Sequence, residues 1–258
     1  MTGRLVGKVA LVTGGSSGLG ACSARLMRRE GAEVVVSDVR VEAGRALARE
    51  IGAFFVKLDV TQEEEWRAAV RETVNHFGAL HVLVQSAGVG LTQTVEDTGL
   101  DEWRRVHAVD LDGTFLGCKV GVAEMKKHTA AVGGSIVNVS SVSGVVAGAN
   151  LAAYNSAKAA VRHLSKSVAL HCAKEGYNIR CNSVHPTFID TPMLDDIFRK
   201  VSSPDDEPKL RRKLARQVPL GRLGQPDEVG WPIVFLASDE ASFITGSELL
   251  IDGGLSAM

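Results

Sequence analysis

Short runs of apolar, largely β-branched residues alternate along the chain with longer segments in which apolar positions recur at helical spacing. The apolar runs are continuous, a pattern typical of parallel strands that are buried on both faces of a sheet. We therefore predict strands at Val9–Val12, Val34–Val36, Phe54–Val56, Val82–Val84, Ile136–Val139, Ile179–Val184 and Leu249–Ile251.

Segments of helix length separate these strands, for example Gly18–Glu30, Val41–Ile51, Thr61–Phe77 and Asp101–His128. Strands that alternate with helices indicate right-handed βαβ crossovers, which place helices on both faces of a parallel sheet. The predicted fold is α/β, a doubly wound parallel sheet of about seven strands. With no repeat, low-complexity tract or linker, residues 1–258 are expected to form one domain.

The stretch 187–224 breaks the alternation, with four prolines and a turn cluster at 202–206. An insertion of this length between a strand and the next helix is either a lid over a site or a mobile surface excursion. We favour a lid, because the stretch also carries apolar side chains that have little reason to lie on a solvated loop: Phe188, Met193, Leu194, Ile197 and Phe198.

Charge and composition narrow the possible functions. The 29 Lys and Arg residues against 30 Asp and Glu residues give a net charge of -1, which disfavours a reader of nucleic-acid backbones. No apolar run is long enough to span a membrane and Met1–Lys8 lacks the apolar core of a signal peptide, so we expect a cytoplasmic protein. The four cysteines form no CxxC pair, and we predict buried free thiols and no metal site.

A glycine-rich turn, Thr13–Gly20, connects the first strand to the first helix. Glycines there allow a pyrophosphate to approach backbone N–H groups at the positive end of a helix. The second strand ends at Asp38, about 20 residues further on, where a carboxylate can bind the ribose hydroxyls of NAD and repel the extra phosphate of NADP. We predict NAD as the cofactor, although Arg40 could provide a partner for that phosphate.

A second group of residues suits proton transfer. Tyr154 and Lys158 lie four residues apart in a predicted helix and so share one face. An ammonium beside a phenol stabilises the phenolate and lowers a pKa that starts near 10, so the tyrosine could exchange a proton with an alcohol or carbonyl oxygen. Ser140 and Ser141 end the fifth predicted strand, at the sheet edge where ligands bind in such folds.

Together these residues resemble the motifs of the classical short-chain dehydrogenases/reductases, and the resemblance covers the whole chain. It rests on residues at the expected positions: Thr13–Gly20, Asp38, Asp59, Ala87, Gly88, Ser141, Tyr154, Lys158, Pro186 and Thr191. A narrower resemblance, to bacterial 3β/17β-hydroxysteroid dehydrogenases, rests on residues 1–5, 173–186 and 191–193.

The resemblance implies a Rossmann fold and a homotetrameric oxidoreductase. Tyr154 would be the acid/base, Ser141 would orient the substrate oxygen, and Lys158 would bind the nicotinamide ribose. Asp59 would approach the adenine, and the loop from Pro186 to Thr191 would hold the carboxamide. The full set of expected cofactor-binding residues is Gly14, Ser17, Gly18, Leu19, Gly20, Asp38, Asp59, Val60, Ala87, Gly88, Tyr154, Lys158, Pro186 and Thr191.

Three positions depart from the family pattern. Gln85-Ser86 replaces a pair of asparagines before Ala87-Gly88, and Thr187 replaces the glycine that commonly follows the proline. Asp110 replaces the asparagine of the family's proton relay. We expect an ionised Asp110 to compete with Tyr154 for Lys158 if it points toward that ammonium, and to weaken catalysis without abolishing it.

The predicted substrate residues are apolar: Leu91, Val145, Leu151, Phe188, Leu194 and Phe198. They suit a hydrophobic secondary alcohol or ketone, such as a hydroxysteroid or another cyclic alcohol. Two alternatives remain open: a 3-oxoacyl-carrier-protein reductase-like enzyme, which Asp38 argues against, and a catalytically weak NAD-binding protein.

Overall fold

A single parallel sheet organises the chain in the computed structural model, which describes residues 3–201 and 206–258. In these ranges the strands are β1 (Val9–Thr13), β2 (Glu33–Asp38), β3 (Phe54–Lys57), β4 (Val82–Gln85), β5 (Gly134–Val139), β6 (Ile179–Pro186) and β7 (Glu248–Ile251). Their order across the sheet is β3-β2-β1-β4-β5-β6-β7, and every pair is parallel. All seven predicted strands and the doubly wound α/β architecture are confirmed.

Helices cover both faces of the sheet. They are α1 (Gly18–Arg29), α2 (Val41–Ile51), α3 (Glu63–Phe77), α4 (Leu100–His107), α5 (Gly113–Met125), α6 (Ala152–Lys174), α7 (Pro192–Val201), α8 (Glu207–Ala215) and α9 (Pro226–Ala237). Side chains of α1, α2 and α9 pack in the core on one face, and those of α3, α5 and α6 pack in the core on the other.

The strands are buried because both faces carry apolar side chains. β1 is buried at all five positions, and its Ala10 and Val12 belong to one core while Leu11 belongs to the other. Trp66 of α3 is completely buried in the second core, and its indole N–H donates to the Val60 carbonyl at 2.9 Å. This bond ties α3 to the turn that follows β3, which places residues 58–61 at the carboxyl edge of the sheet.

The predicted helix Asp101–His128 is wrong in detail. A five-residue π-helical segment, Ala108–Asp112, lies between α4 and α5, and α5 ends at Met125. Segments of this kind are wider than an α-helix and recur at functional sites. Here the segment contains Asp110, whose side chain is fully buried.

The stretch 187–224 folds mainly into α7 and α8, and residues 202–205 of the predicted turn cluster lie outside the described residues, as do residues 1 and 2 of the narrower family resemblance. In the described part of the chain, no helix is long and apolar enough to cross a membrane. All four cysteines are buried and free, as predicted.

Candidate active site

A cavity of about 730 Å³ runs along the carboxyl edge of the sheet. It begins at the turn between β1 and α1, passes the ends of β4 and β5, and ends under α7. Each predicted cofactor residue except Gly20 lines it. Of the four predicted catalytic residues, Ser141, Tyr154 and Lys158 line it, whereas Asp110 does not. The sheet topology is responsible, because β1 and β4 are neighbours whose crossovers run in opposite directions, which opens a crevice between them.

The glycine turn brings backbone to the cavity floor. Gly14 has a φ of 62°, and a Cβ there would lie 2.7 Å from the Ala87 backbone. Gly18, which begins α1, has a φ of 53°, and the nearest atom to a Cβ there would be the Thr191 side chain at 3.8 Å. Gly20 does not line the cavity; a Cβ there would lie 2.3 Å from the Gly14 carbonyl, so this glycine is needed for packing of the turn.

Asp38 is 7% exposed at the end of β2 and is held by neighbouring donors. Its Oδ2 accepts from the backbone N–H of Ser16 at 3.1 Å and from the Ser16 hydroxyl at 2.6 Å. Its Oδ1 accepts from the backbone N–H of Arg40 at 2.9 Å, while the Arg40 guanidinium also donates to the Ser17 hydroxyl. The end of the cavity at which a cofactor ribose was predicted to bind therefore presents both the fixed carboxylate of Asp38 and the exposed guanidinium of Arg40.

Asp59 and Val60 line the cavity beyond β3. The Asp59 Oδ1 accepts from the backbone N–H of Thr61 at 3.0 Å and from the Thr61 hydroxyl at 2.8 Å, which fixes the carboxylate. Leu58 and Val109 lie beside them on the cavity wall. This end is a slot with apolar sides and one oriented carboxylate, suited to a flat base.

Tyr154, Lys158 and Ser141 meet near the middle of the cavity. The Lys158 ammonium lies 5.6 Å from the centre of the Tyr154 ring and donates to the Val139 carbonyl at 3.1 Å. The Ser141 hydroxyl accepts from the Ser143 backbone N–H at 3.1 Å. The predicted pairing of phenol and ammonium on one face of α6 is present.

The direction of the Tyr154 pKa was predicted incorrectly. Burial raises the pKa of the phenol above its ordinary value, and although Lys158 lowers it as expected, the Asp110 carboxylate raises it again. Sequence alone shows the helper ammonium but not the degree of burial. In this cavity the phenol holds its proton more tightly than a free tyrosine does.

Asp110 points at Lys158. Its Oδ1 accepts from the Val89 backbone N–H at 2.8 Å, and its Oδ2 lies 3.3 Å from the Lys158 ammonium nitrogen. Burial raises the pKa of the Asp110 carboxyl, against the opposing effects of Lys158 and the Val89 N–H. Burial alone would lower the pKa of Lys158, but Asp110 and the phenol reverse this and raise it.

The other two departures from the family pattern also have consequences. The Gln85 amide donates to the carbonyl of Thr114 and to the Asn138 side chain, both at 3.0 Å, and so bridges β4, β5 and α5. Thr187 lines the cavity, and its buried hydroxyl has no partner among the described residues. The Gln85 contacts leave the cavity floor at Ala87 and Gly88 in place.

The far end of the cavity is mainly apolar, although Asp196 of α7 also lines it. Four of the predicted substrate residues line it: Leu91, Leu151, Phe188 and Leu194. Two do not: Val145 is 38% exposed at the surface, and Phe198 is 3% exposed beneath the guanidinium of Arg211, 5.3 Å from ring to cation. Sequence reasoning left out of its list of site residues several that do line the cavity, among them Ser143, Thr187, Ile197 and Arg105. Ser143 begins a stretch, 143–151, that we expected to line the pocket, whereas Arg105 carried no signal because it lies in no motif.

Arg211 of α8 fastens α7 over this apolar end. Its guanidinium donates to Asp190 at 2.6 Å and to Glu207 at 2.8 Å, and it also bonds Asp195 on α7. The Ile197 side chain of α7 lies 3.7 Å from where a Cβ on Gly90 would be, across the cavity. The described part of the 187–224 stretch therefore closes one side of the site.

Comparisons with known proteins agree with this geometry. A family model described as enoyl-(acyl carrier protein) reductase matches residues 14–256. The chain is 41% identical to the NADP-dependent (R)-specific alcohol dehydrogenase of Lentilactobacillus kefiri, with 100% of both chains covered. It is 40% identical to the 3-beta-hydroxysteroid dehydrogenase of Comamonas testosteroni, over 100% of this chain and 99% of that one.

Among solved structures, the aldohexose dehydrogenase of Thermoplasma acidophilum superimposes with a TM-score of 0.90 at 34% identity, over 100% of this chain and 97% of that one. The chain belongs to the short-chain dehydrogenase/reductase family and is an oxidoreductase that uses a nicotinamide cofactor.

Proposed function

We propose that this protein is an NAD-dependent dehydrogenase that interconverts a hydrophobic secondary alcohol, cyclic or hydroxysteroid-like, and its ketone. One observation supports this most strongly: a single cavity joins a glycine turn at one end to an apolar chamber at the other, with Tyr154, Lys158 and Ser141 between them.

The residues fit a nicotinamide dinucleotide. Gly14 and Gly18 have no side chains where a pyrophosphate would approach the N-terminus of α1, and a Cβ on Gly88 would stand 3.4 Å from the Lys158 ammonium. Asp59 suits the adenine end and Pro186 to Thr191 suit the carboxamide end. When bound, the cofactor accepts or supplies the hydride.

The protein residues handle the proton. In alcohol oxidation the Tyr154 phenolate oxygen takes the hydroxyl proton of the substrate, and in ketone reduction the phenol returns it. The Ser141 hydroxyl positions the substrate oxygen, and the Lys158 ammonium stabilises the phenolate. Because burial and Asp110 raise the pKa of Tyr154, oxidation should be favoured at alkaline pH.

We assign NAD rather than NADP on the fixed carboxylate of Asp38, which would lie against a phosphate on the adenosine ribose. The relative from Lentilactobacillus kefiri is NADP-dependent, and Arg40 with Ser17 provides a cationic contact at the same end. The carboxylate is 7% exposed and holds its hydrogen bonds without a ligand, so we expect its repulsion to prevail.

The substrate class follows from the apolar end of the cavity, where Leu91, Leu151, Phe188 and Leu194 surround the site of proton transfer. Named relatives that act on alcohols and on a hydroxysteroid favour the same class. Following the family, we also propose a homotetramer.

The test is to follow NADH absorbance with NAD and a panel of cyclic, steroidal and short polar secondary alcohols, for the protein and for Tyr154→Phe. We expect turnover of the apolar alcohols, reduced by roughly 10² to 10⁴ in the variant, with NADH affinity unchanged. Activity only toward thioester-linked 3-oxoacyl groups would favour the carrier-protein reductase alternative. NADH binding without turnover on any substrate would indicate a catalytically weak NAD-binding protein.

A further inference from the structure

We infer that His185 is a positioning residue that holds the Ser141 backbone in place for catalysis. The inference rests on the proposed role of Ser141. His185 lies on β6 directly before Pro186, is completely buried, and was not among the predicted site residues, although it falls within the stretch 173–186 of the narrower family resemblance.

Both ring nitrogens of His185 have partners. Nδ1 lies 3.0 Å from the Ser141 carbonyl oxygen, and Nε2 lies 2.9 Å from the hydroxyl oxygen of Ser183. A carbonyl can only accept, so Nδ1 must carry the proton. In the neutral ring Nε2 then accepts from the Ser183 hydroxyl, and a single tautomer satisfies the whole chain of bonds.

The Ser141 carbonyl is held from two sides, because the Gly144 backbone N–H also donates to it, at 2.9 Å. Ser141 itself has extended backbone geometry, with a φ of -159° and a ψ of 158°, and its hydroxyl accepts from the Ser143 N–H. The Gly144 bond closes a local turn, whereas the His185 bond ties the Ser141 carbonyl to β6, which carries the opposite wall of the cavity. Two further bonds reach β6 beside it: the Ser140 N–H donates to the Val184 carbonyl at 2.9 Å, and the Ser141 hydroxyl makes a long bond of 3.5 Å to the Pro186 carbonyl. Loss of the His185 bond would free the Ser141 hydroxyl to shift relative to Tyr154.

The surroundings keep the ring neutral. Burial lowers the pKa of His185. Of the groups that face the ring, the Ser141 carbonyl and Glu248 of β7 oppose this lowering, whereas Arg162 and Lys158 of α6 reinforce it. The lowered pKa favours the neutral ring at neutral and alkaline pH, in the tautomer that donates from Nδ1.

Two substitutions distinguish the roles of the two ring nitrogens of His185. His185→Asn places an amide nitrogen near the Nδ1 position, and His185→Gln places one near Nε2. We expect the Asn variant to keep kcat within about threefold and the Gln variant to lose at least about tenfold, because a misplaced catalytic group costs rate steeply. NADH affinity, measured by fluorescence, should be similar in the two variants. The thermal midpoint should be no lower in the Gln variant than in the Asn variant, because the smaller Asn side chain disrupts packing more, so a larger loss of kcat in the Gln variant cannot come from packing.

The inference is overturned if the two folded variants lose kcat equally, or if the Gln variant keeps it. A second measurement does not depend on activity: long-range ¹H–¹⁵N correlation spectra of labelled protein, with the His185 signal assigned by its absence in the Asn variant. A protonated Nδ1 and bare Nε2 is expected, and the opposite tautomer or a charged ring at pH 7 would refute the inference. Failure of the substrate panel would instead count against the proposed function alone.

Discussion

Replacing Asp110 by asparagine should make alcohol oxidation easier near neutral pH. The carboxylate is completely buried, and its Oδ2 lies 3.3 Å from the Lys158 ammonium, which in turn lies 5.6 Å from the Tyr154 ring centre. Its negative charge raises the pKa of the phenol and also that of the ammonium. Asparagine keeps the volume and can still accept from the Val89 N–H, so the fold around the cavity should survive.

The size of the effect follows from these separations. The carboxylate lies within about 9 Å of the Tyr154 ring centre, and two unit charges about 9 Å apart at an effective dielectric constant of about 20 interact by about 1.8 kcal/mol. At about 1.4 kcal/mol per pKa unit, removal of the charge should lower the Tyr154 pKa by about one unit. The direction of the effect follows from the pKa. A lower phenol pKa produces more phenolate at a given pH, so the rising limb of the plot of oxidation rate against pH moves toward neutrality.

The assay is the oxidation rate as a function of pH, with saturating NAD and alcohol, for the parent protein, Asp110→Asn and Asp112→Asn. Asp112 lies in the same π-helical segment but is exposed, so its variant makes the same charge change away from the phenol. We expect a shift of about one pH unit, and up to about tenfold more rate below the midpoint, for Asp110→Asn only. Superimposable profiles for the parent and Asp110→Asn, or equal shifts in both variants, would refute the reasoning.

Three further predictions concern the cofactor, the ammonium and the lid. NAD should exceed NADP by at least tenfold in kcat/KM, about 1.4 kcal/mol, and Asp38→Ala should narrow the gap because Arg40 would remain; equal efficiencies in the parent would contradict the assignment. Lys158→Met should weaken NADH binding and lower turnover together, and a change in only one of these would oppose its double role. Arg211→Met should raise KM for steroidal alcohols more than for short ones by releasing α7. Lys209→Met is the control, because the Lys209 ammonium donates to Asp206, just before α8, and not to α7; equal rises would argue against a lid.

Most of the fold was accessible from the sequence because buried parallel strands leave a strong pattern. β1 to β5 match their predicted runs to within one or two residues, and β6 continues through His185 to Pro186. The predicted strand ended at Val184, because Pro186 two residues later gave no reason to extend it. The π-helical segment was missed because its hydrogen bonds join residues five apart instead of four. Over only five residues this difference leaves almost no trace in the spacing of apolar and polar residues.

The role of a site residue was predictable where it follows from a sequence motif. It was not predictable where it depends on burial or on a partner far away in the sequence. The glycine turn was identified from its place between a strand and a helix, and Tyr154 and Lys158 from their helical spacing together with that turn and the serine pair. Gly14, Gly18, Tyr154 and Lys158 all line the cavity, whereas Gly20 does not. The raised pKa of Tyr154, by contrast, comes first from burial, which no residue pattern reveals. Phe198 looked like a substrate contact because it is apolar, but it is covered by Arg211, which lies 13 positions further along the chain.

The π-helical segment between α4 and α5 also sets how this region tolerates changes in chain length. Each residue of an α-helix turns the chain by about 100°, so the wider segment acts as an added rotation between the two helices. On one side of it Val106 faces the small core beside α6, and on the other Gly117 packs against Trp66. Deleting a single residue from 108–112 would restore regular winding and rotate one of these faces out of its core, whereas most point substitutions would leave the rotation intact. The number of residues in this segment is therefore a stricter requirement for keeping both cores in this chain than the identity of its exposed side chains.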